Sequence, residues 1–286
     1  MNIIHNPSWI DDFRYNYKCF DEIPEKVFDQ INADLDVVQS KSPLVSIVIA
    51  AWNEEVNILG SVGSLSRLKT TVPFEIIVVN NNSTDRTQRT LEKLHIKTLF
   101  EERQGAGPAR QTGQEHASGK YILIADADCL YPSCWLDEML KKLQKPGVVC
   151  VYGRYSFIGE DKQTRWKFAV LETLKDMVAE FRHLKRPYLN AYGISMGYVK
   201  EYGLKAGFVT KLIRGDDGRL CFDLMKYGKV LQVRSNKARV WTAPRTIMQD
   251  GTIENAIRIR VRREMKRFWS MFYAHPPHDT KTSSND

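Results

Sequence analysis

Two acidic pairs in this chain could do chemistry. Asp126 and Asp128 close an apolar run in "LIADADCLYPS" (123–133), and Asp216 and Asp217 stand between glycines in "IRGDDGRL" (213–220). At the end of a strand, alternate residues point the same way, so Asp126 and Asp128 could face one ligand. Hard cations such as Mg2+ or Mn2+ take carboxylate oxygens and keep water and substrate phosphates as their other ligands. The simpler alternative is a solvated turn carrying two acids. Adjacent carboxylates in a cleft raise a pKa, which would suit Asp216 and Asp217 to general-base work. Their simpler alternative is a helix N-terminus, where Asp is favoured for capping alone.

Three further stretches are weaker on their own. "NNNSTD" (80–85) offers the amides of Asn80 and Asn81, which both donate and accept, but it is also an ordinary turn before a helix. "GAGPAR" (105–110) has Arg110 where a dinucleotide fingerprint would have its third glycine, and it follows a third strand rather than a first. Arg110 in the first turn of a helix facing a cleft would instead suit a diphosphate. "TIENAIRIRVRREMKRFWSMFY" carries Arg258, Arg260, Arg262, Arg263, Lys266 and Arg267, with an apolar stripe running from Ile253 to Phe272. Either it docks on its own domain with a solvated basic face, or it lies on anionic lipid with Trp269 as an anchor. No nucleic-acid-binding fold accompanies it, and nucleic acid is not an expected partner.

The elements that must position these residues alternate. "LVSIVIAA" (44–51), "FEIIVVN" (74–80), "IKTLFEE" (96–102) and "KYILIADA" (120–127) read as strands, the first two buried on both faces. Between them lie helices: one capped by Asn53 with acids in its first turn, one capped by Ser83 or Thr84, and one over "GPARQTGQEHAS". This alternation predicts a parallel sheet with right-handed crossovers, whose ligands bind outside the carboxyl ends of the strands. All the loops of interest end strands, so they should meet along one edge. Before the sheet, "IPEKVFDQINADLDVVQS" has Val27, Phe28, Ile31, Leu35 and Val38 at helical spacing. After it, "VVCVYGRYSFIG" reads as one or two strands, "RWKFAVLETLKDMVAEFRHL" as a helix, and the segment around Asp216 as loop, helix and strand.

With 43% hydrophobic and 27% charged residues, the composition is that of a globular protein with a sizeable core. The formal net charge of +8 favours phosphate-rich ligands or anionic surfaces. Five cysteines without paired C-x-x-C spacing exclude a disulfide framework and fit a reducing cytosol. The N-terminus has no apolar signal region, and no run approaches the ~20 apolar residues that span a bilayer. The chain is therefore expected to be cytoplasmic, or peripheral at the inner face of a membrane.

These stretches together resemble family 2 glycosyltransferases of the GT-A fold, over residues 44 to about 245. "VSIVIAAWNEE" resembles the opening strand and P-x-Y-N-E-E-type loop, with Ala50, Trp52 and Glu54 on the nucleotide side. "EIIVVNNNSTDRT" resembles V-V-D-D-G-S-T-D-G-T, and "GAGPARQTGQEHASGKYILIADAD" the run that ends in D-x-D. "NAYGISMGYVKEYGLKAGF" followed by "GDDGRL" resembles the acceptor segment and the E-D-x-x-L helix start. The resemblance implies a GT-A type (Rossmann-like), mostly parallel α/β sheet flanked by helices, with an N-terminal arm and a C-terminal helical extension. The expected division is 1–42 as a helical arm, 43–250 as the glycosyltransferase domain, 251–274 as the basic amphipathic helix and 275–286 as a disordered tail.

The resemblance further implies inverting transfer of a sugar from a nucleoside-diphosphate sugar, with Mn2+ or Mg2+. Asp128 would hold the metal that bridges the diphosphate, with Asp126 near the ribose and the metal's waters. Asp217 would be the general base on the acceptor hydroxyl, with Asp216 beside it. Arg245, in "WTAPRT", would close over the diphosphate. Asn80 and Asn81 replace both aspartates of the family motif, and an amide can still read the uracil edge, so a UDP-sugar is expected. The Q-x-x-R-W of processive enzymes is missing, which implies addition of one sugar to a saccharide or lipid-linked acceptor, in cell-envelope polysaccharide or glycolipid synthesis. Two other readings stand beside this one: a nucleotidyltransferase, and a non-catalytic sugar-nucleotide-binding protein with a degenerate site.

Overall fold

The computed structural model describes residues 5–209 and 215–244, side chains of 162 and 163 excepted, together with Asn255, Arg258, Ile259, Val261, Arg262 and Met265. The first half reads α1 (Glu25–Val38), β1 (Val45–Ala51), α2 (Asn57–Ser66), β2 (Phe74–Asn80), α3 (Thr87–Glu92), β3 (Lys97–Phe100), α4 (Ala106–His116) and β4 (Tyr121–Asp126). The second half reads β5 (Cys129–Leu130), α5 (Trp135–Leu143), β6 (Val148–Tyr152), β7 (Tyr155–Phe157) and α6 (Lys162–Lys185). Then come β8 (Met196–Val199), α7 (Lys200–Ala206), α8 (Asp216–Leu224), β9 (Lys229–Gln232) and β10 (Val240–Thr242).

Among the described residues, seven strands form one sheet in the order β3-β2-β1-β4-β8-β6-β9, and β5-β10-β7 form a second. The sheet is mostly parallel, as the β/α alternation predicts; β8 alone runs antiparallel, between β4 and β6. The apolar runs of β1, β2 and β4 are buried because helices cover both faces. One core packs α1, α2 and α5 against the sheet; the other packs α4, α7 and α8. The apolar stripe of α1 (Val27, Phe28, Ile31, Leu35) enters the first core, so the N-terminal arm is packed on the sheet domain.

Neighbours of β1 leave in opposite directions, with β2 on one side and β4 on the other. Loops that follow β1 and β4 therefore part, and a crevice opens at the carboxyl edge between them. In the register, Ala50 stands opposite Asp126 and Ala51 opposite Asn80, so three of the expected site segments end side by side.

Two capping expectations are corrected. Asn53 does not cap α2, which begins at Asn57 with no acid in its first turn. It turns a left-handed corner at φ 55, a region Asn tolerates, and its Oδ1 accepts from the N–H of Thr84 at 2.8 Å. Asn53 thus fastens the loop after β1 to the loop after β2. Neither Ser83 nor Thr84 caps α3, which begins at Thr87; the Asp85 carboxylate accepts the Thr87 N–H at 2.9 Å.

Candidate functional site

At the crevice, Arg110 gathers three carboxylates. It lies in α4, 5% exposed, and its Nη2 donates to Asp126 at 3.0 Å while Nη1 donates to Asp216 at 2.8 Å and to Asp217. Asp126 is delivered by the end of β4, and the two acids of "GDDG" by the first turn of α8. Both readings of that pair thus apply: the acids begin a helix, and they face the crevice. Fit against Arg110 is tight, since a Cβ on Gly193 would stand 1.9 Å from Nη2. Gly105, at φ 130, begins α4 in a backbone region that L side chains rarely adopt.

Burial pushes Asp217 up to about 7; Arg110 opposes that rise, and Asp216 and Asp126 add to it. Asp126 is raised as well, by burial first, with Arg110 pulling down and Asp128 pushing up. Burial alone would lower Arg110, but its three carboxylates outweigh that and raise it, so the guanidinium stays charged. Arg110, expected from the sequence to contact a diphosphate, is here engaged by three carboxylates and packed by Gly193.

The fit to a divalent cation is set by the donors beside Asp126. One ligand atom each of Asp126, Asp128 and Cys129 lie within 4.8 Å of one another. Burial pushes the Cys129 thiol well up, with Asp128 and Asp126 adding to it, so the thiol keeps its proton. The donor set is then two carboxylates, which suits Mg2+ or Mn2+ and not a thiophilic ion. The strand end that presents them is fixed: the Asp126 N–H donates to the Tyr131 hydroxyl at 2.7 Å, and Ser61 donates to the Asp126 carbonyl at 3.1 Å.

Asn80 and Asn81 are buried at 2% and 3% exposure, with their amides already engaged. Asn80 accepts from the Ser83 N–H at 3.1 Å and donates to Gln88 at 2.7 Å. Asn81 donates to the carbonyls of Glu101 and Arg103 at 3.2 and 2.7 Å, and accepts from the Gly105 N–H at 2.7 Å. Trp52 is 56% exposed after β1, and the Glu54 carboxylate accepts from Asn57 at 2.7 Å. Arg245 lies outside the described residues, as does most of the basic helix beyond it. Sequence reasoning missed one wall: a cavity of about 220 Å³ beside Asp128 is lined by Arg14, Tyr15 and Asn16 of the N-terminal arm, with Asn57 and Pro244. No motif in residues 14–16 points to that wall.

Known proteins similar to this chain in sequence and fold include glycosyltransferases. The model of the family described as Glycosyl transferase family 2 matches residues 46–202. Glycosyltransferase AglE of Haloferax volcanii is 33% identical over 127 residues, covering 41% of this chain and 41% of its own length. The E. coli UDP-Glc:alpha-D-GlcNAc-diphosphoundecaprenol beta-1,3-glucosyltransferase WfgD is 31% identical over 122 residues, covering 41% of this chain and 48% of its own. The matched stretch thus spans less than half of either relative. Among solved structures, the mannosyltransferase PcManGT of Pyrobaculum calidifontis, in complex with GDP-Man and Mn2+, superposes with a TM-score of 0.54 at 20% identity, over 88% of this chain and 72% of that one. S. aureus TarS 1-349 in complex with UDP-GlcNAc superposes with a TM-score of 0.55 at 18% identity, over 70% and 58%. At such identities the likeness is one of fold, the GT-A fold.

Proposed function

The chain belongs to glycosyl transferase family 2, and from that premise we propose that it moves a single sugar, with inversion, from a nucleoside-diphosphate sugar to an acceptor hydroxyl. The observation that carries this reading is the convergence of Asp126, Asp216 and Asp217 on Arg110 at the strand edge, with Asp128 beside them.

Asp217 is the proposed base. Its carboxylate is half-buried, held by Arg110 on one side, and has an affinity for protons near neutrality, where a general base works best. It takes the acceptor's proton as the hydroxyl attacks the anomeric carbon from the face opposite the leaving group. Asp216 fixes Arg110 from the buried side and keeps Asp217 high by its own charge. Asp128 and Asp126 would hold Mn2+ or Mg2+, which when bound neutralises charge gathering on the departing diphosphate.

A UDP-sugar is the favoured donor; WfgD carries UDP-Glc in its name, and the TarS complex holds UDP-GlcNAc. With the Asn81 amide spent on the loop after β3, base reading falls to main-chain groups of the strand-end loops and to stacking on Trp52. The acceptor is read as a saccharide or lipid-linked saccharide of the cell envelope. Purified protein incubated with a set of sugar nucleotides and Mn2+ should release nucleoside diphosphate slowly to water. Release of pyrophosphate would show a nucleotidyltransferase instead, and no release from any donor a degenerate site. NMR of a transfer product should show the anomeric configuration opposite to that of the donor.

A further inference from the structure

Helix α6 is built inside out for a helix that faces water. Its acids turn inward. Glu172 pairs with Arg165 through contacts of 2.9 Å, both side chains buried to 0% and 1% exposure. Asp176 meets Arg239 and Arg154, and Glu180 meets Arg154 and Arg234. The outward positions carry Trp166, Val170, Leu174, Met177, Phe181 and Leu184, with exposures from 41% at Leu174 to 79% at Leu184. Each step is three or four residues, so the stripe runs straight for about 27 Å. Thr173 and Lys185 lie on the same face, and among the described residues it bears no acid. Single exposed apolar residues need no cause, but a continuous stripe of this length marks an interaction surface.

Charge selects what covers it. Lys167, Lys185 and Arg186 border the stripe on α6 and just beyond it. Val261 packs against the cluster of Phe157, Phe168 and Leu171, and the described residues Arg258 and Arg262 near it are exposed. In a second copy docked antiparallel through the same face, Lys185 and Arg186 would meet the exposed Glu160 and Asp161 at the start of α6, so a dimer is the competing occupant that the test must separate. An anionic lipid surface satisfies both the apolar stripe and its rim. We propose that α6 lies in the surface of an anionic membrane, its apolar stripe entering the boundary between headgroups and acyl chains and the basic residues around it meeting lipid phosphates.

Gly193 packs on Arg110, and Tyr192 next to it meets the Tyr155 ring edge-on at 5.9 Å. Lys175 of α6 donates to the Tyr155 carbonyl at 2.8 Å. These contacts link α6 to the segment that packs on Arg110. The inference concerns where the chain sits, and it holds for any donor.

Full-length protein would be sedimented with vesicles of phosphatidylcholine alone and of phosphatidylcholine mixed equally with phosphatidylglycerol. Binding is expected to the mixed vesicles at low salt, weakening as salt rises. The double variant Leu174→Glu/Met177→Glu should weaken it by at least about tenfold, because charge on the inserted face opposes burial. A second pair, Leu174→Ser/Met177→Ser, removes the apolar groups without adding charge and should weaken binding in the same direction. Val37→Glu, on an exposed position of α1, adds the same charge elsewhere and should leave binding unchanged. Three outcomes would overturn the proposal: no binding of the wild-type chain at low salt, equal binding by both α6 double variants, or a dimer that the α6 variants split while vesicle binding persists. Donor hydrolysis in solution, measured in parallel, reports on glycosyl transfer separately.

Discussion

Arg110 and Asp217 stand 107 positions apart and meet directly, Nη1 of the guanidinium donating to Oδ1 of the carboxylate. The same guanidinium holds Asp126, so one side chain ties the proposed base to the proposed metal strand. Arg110→Met would leave three carboxylates in the crevice without a counter-charge. Loss of one partner from a buried ionic cluster costs about 3–5 kcal/mol, and urea denaturation should show a fall of that order. Arg110→Lys keeps the charge but not the planar fork, so it cannot serve Asp126 and Asp216 together. It should fold with a smaller loss of stability and still transfer sugar poorly. A stable Arg110→Met would show that the cluster does not depend on this residue.

For Asp217, burial pushes the carboxyl up to about 7, and only its ionised form can accept a proton. The kcat/KM profile of the free enzyme should therefore rise with pH through about 7 and then level. Stability should move the other way. The folded group binds its proton more tightly than the unfolded one at 3.8, so its contribution is fully present below that pH and is lost as pH rises through about 7. Asp217→Asn should lower kcat by roughly 10²–10⁴-fold and remove the pH step, while nucleoside diphosphate binding survives. Equal loss of binding and turnover would contradict the role of base.

The sheet and the positions of the acids were legible because β-branched runs alternate with helical segments, and strand ends of such sheets share an edge. That rule reaches Asp126 at the end of β4; Asp216 and Asp217, which follow no strand, were expected beside it from the family resemblance alone. Strand β8 was hidden: its "MGYV" is short and glycine-containing, and its place between β4 and β6 is set by pairing rather than by its own pattern. The ion cluster around Arg110 was hidden for a related reason. A sequence shows that an arginine begins a helix near a cleft, but not that Gly193 and three acids from two other elements close around it. The caps failed where long-range bonds outweigh local preference, as when Asn53 fastens two loops instead of starting a helix. Most of the basic C-terminal helix and Arg245 lie outside the described residues.

Metal dependence should follow Asp128 and not Cys129, although both stand near Asp126. A hard cation prefers carboxylate oxygen, and the Cys129 thiol is pushed up by burial and stays protonated. Thermal shift with UDP should show added stabilisation by Mn2+ in the wild-type chain, since a ligand that binds only the folded state raises Tm. Asp128→Asn should abolish the part that needs Mn2+, and Cys129→Ser should keep it. An Mn2+ effect that survives Asp128→Asn would place the ion elsewhere.

Asn81 offers the sharpest test of how this chain departs from its family's acidic motif. Its amide nitrogen donates to the Glu101 carbonyl at 3.2 Å and to the Arg103 carbonyl at 2.7 Å, and its oxygen accepts the Gly105 N–H at 2.7 Å. A carboxylate could repeat the last of these bonds but neither of the first two. Asn81→Asp, which restores the family residue, would point an oxygen at two carbonyl oxygens in a buried position. Leaving such groups without a donor costs about 1–3 kcal/mol, so the variant should denature earlier than wild type. The segment 101–105 also leads into α4 and so into Arg110. Turnover with a UDP-sugar should therefore fall in step with the loosened loop. Gain of donor affinity without loss of stability would show instead that position 81 reads the base directly.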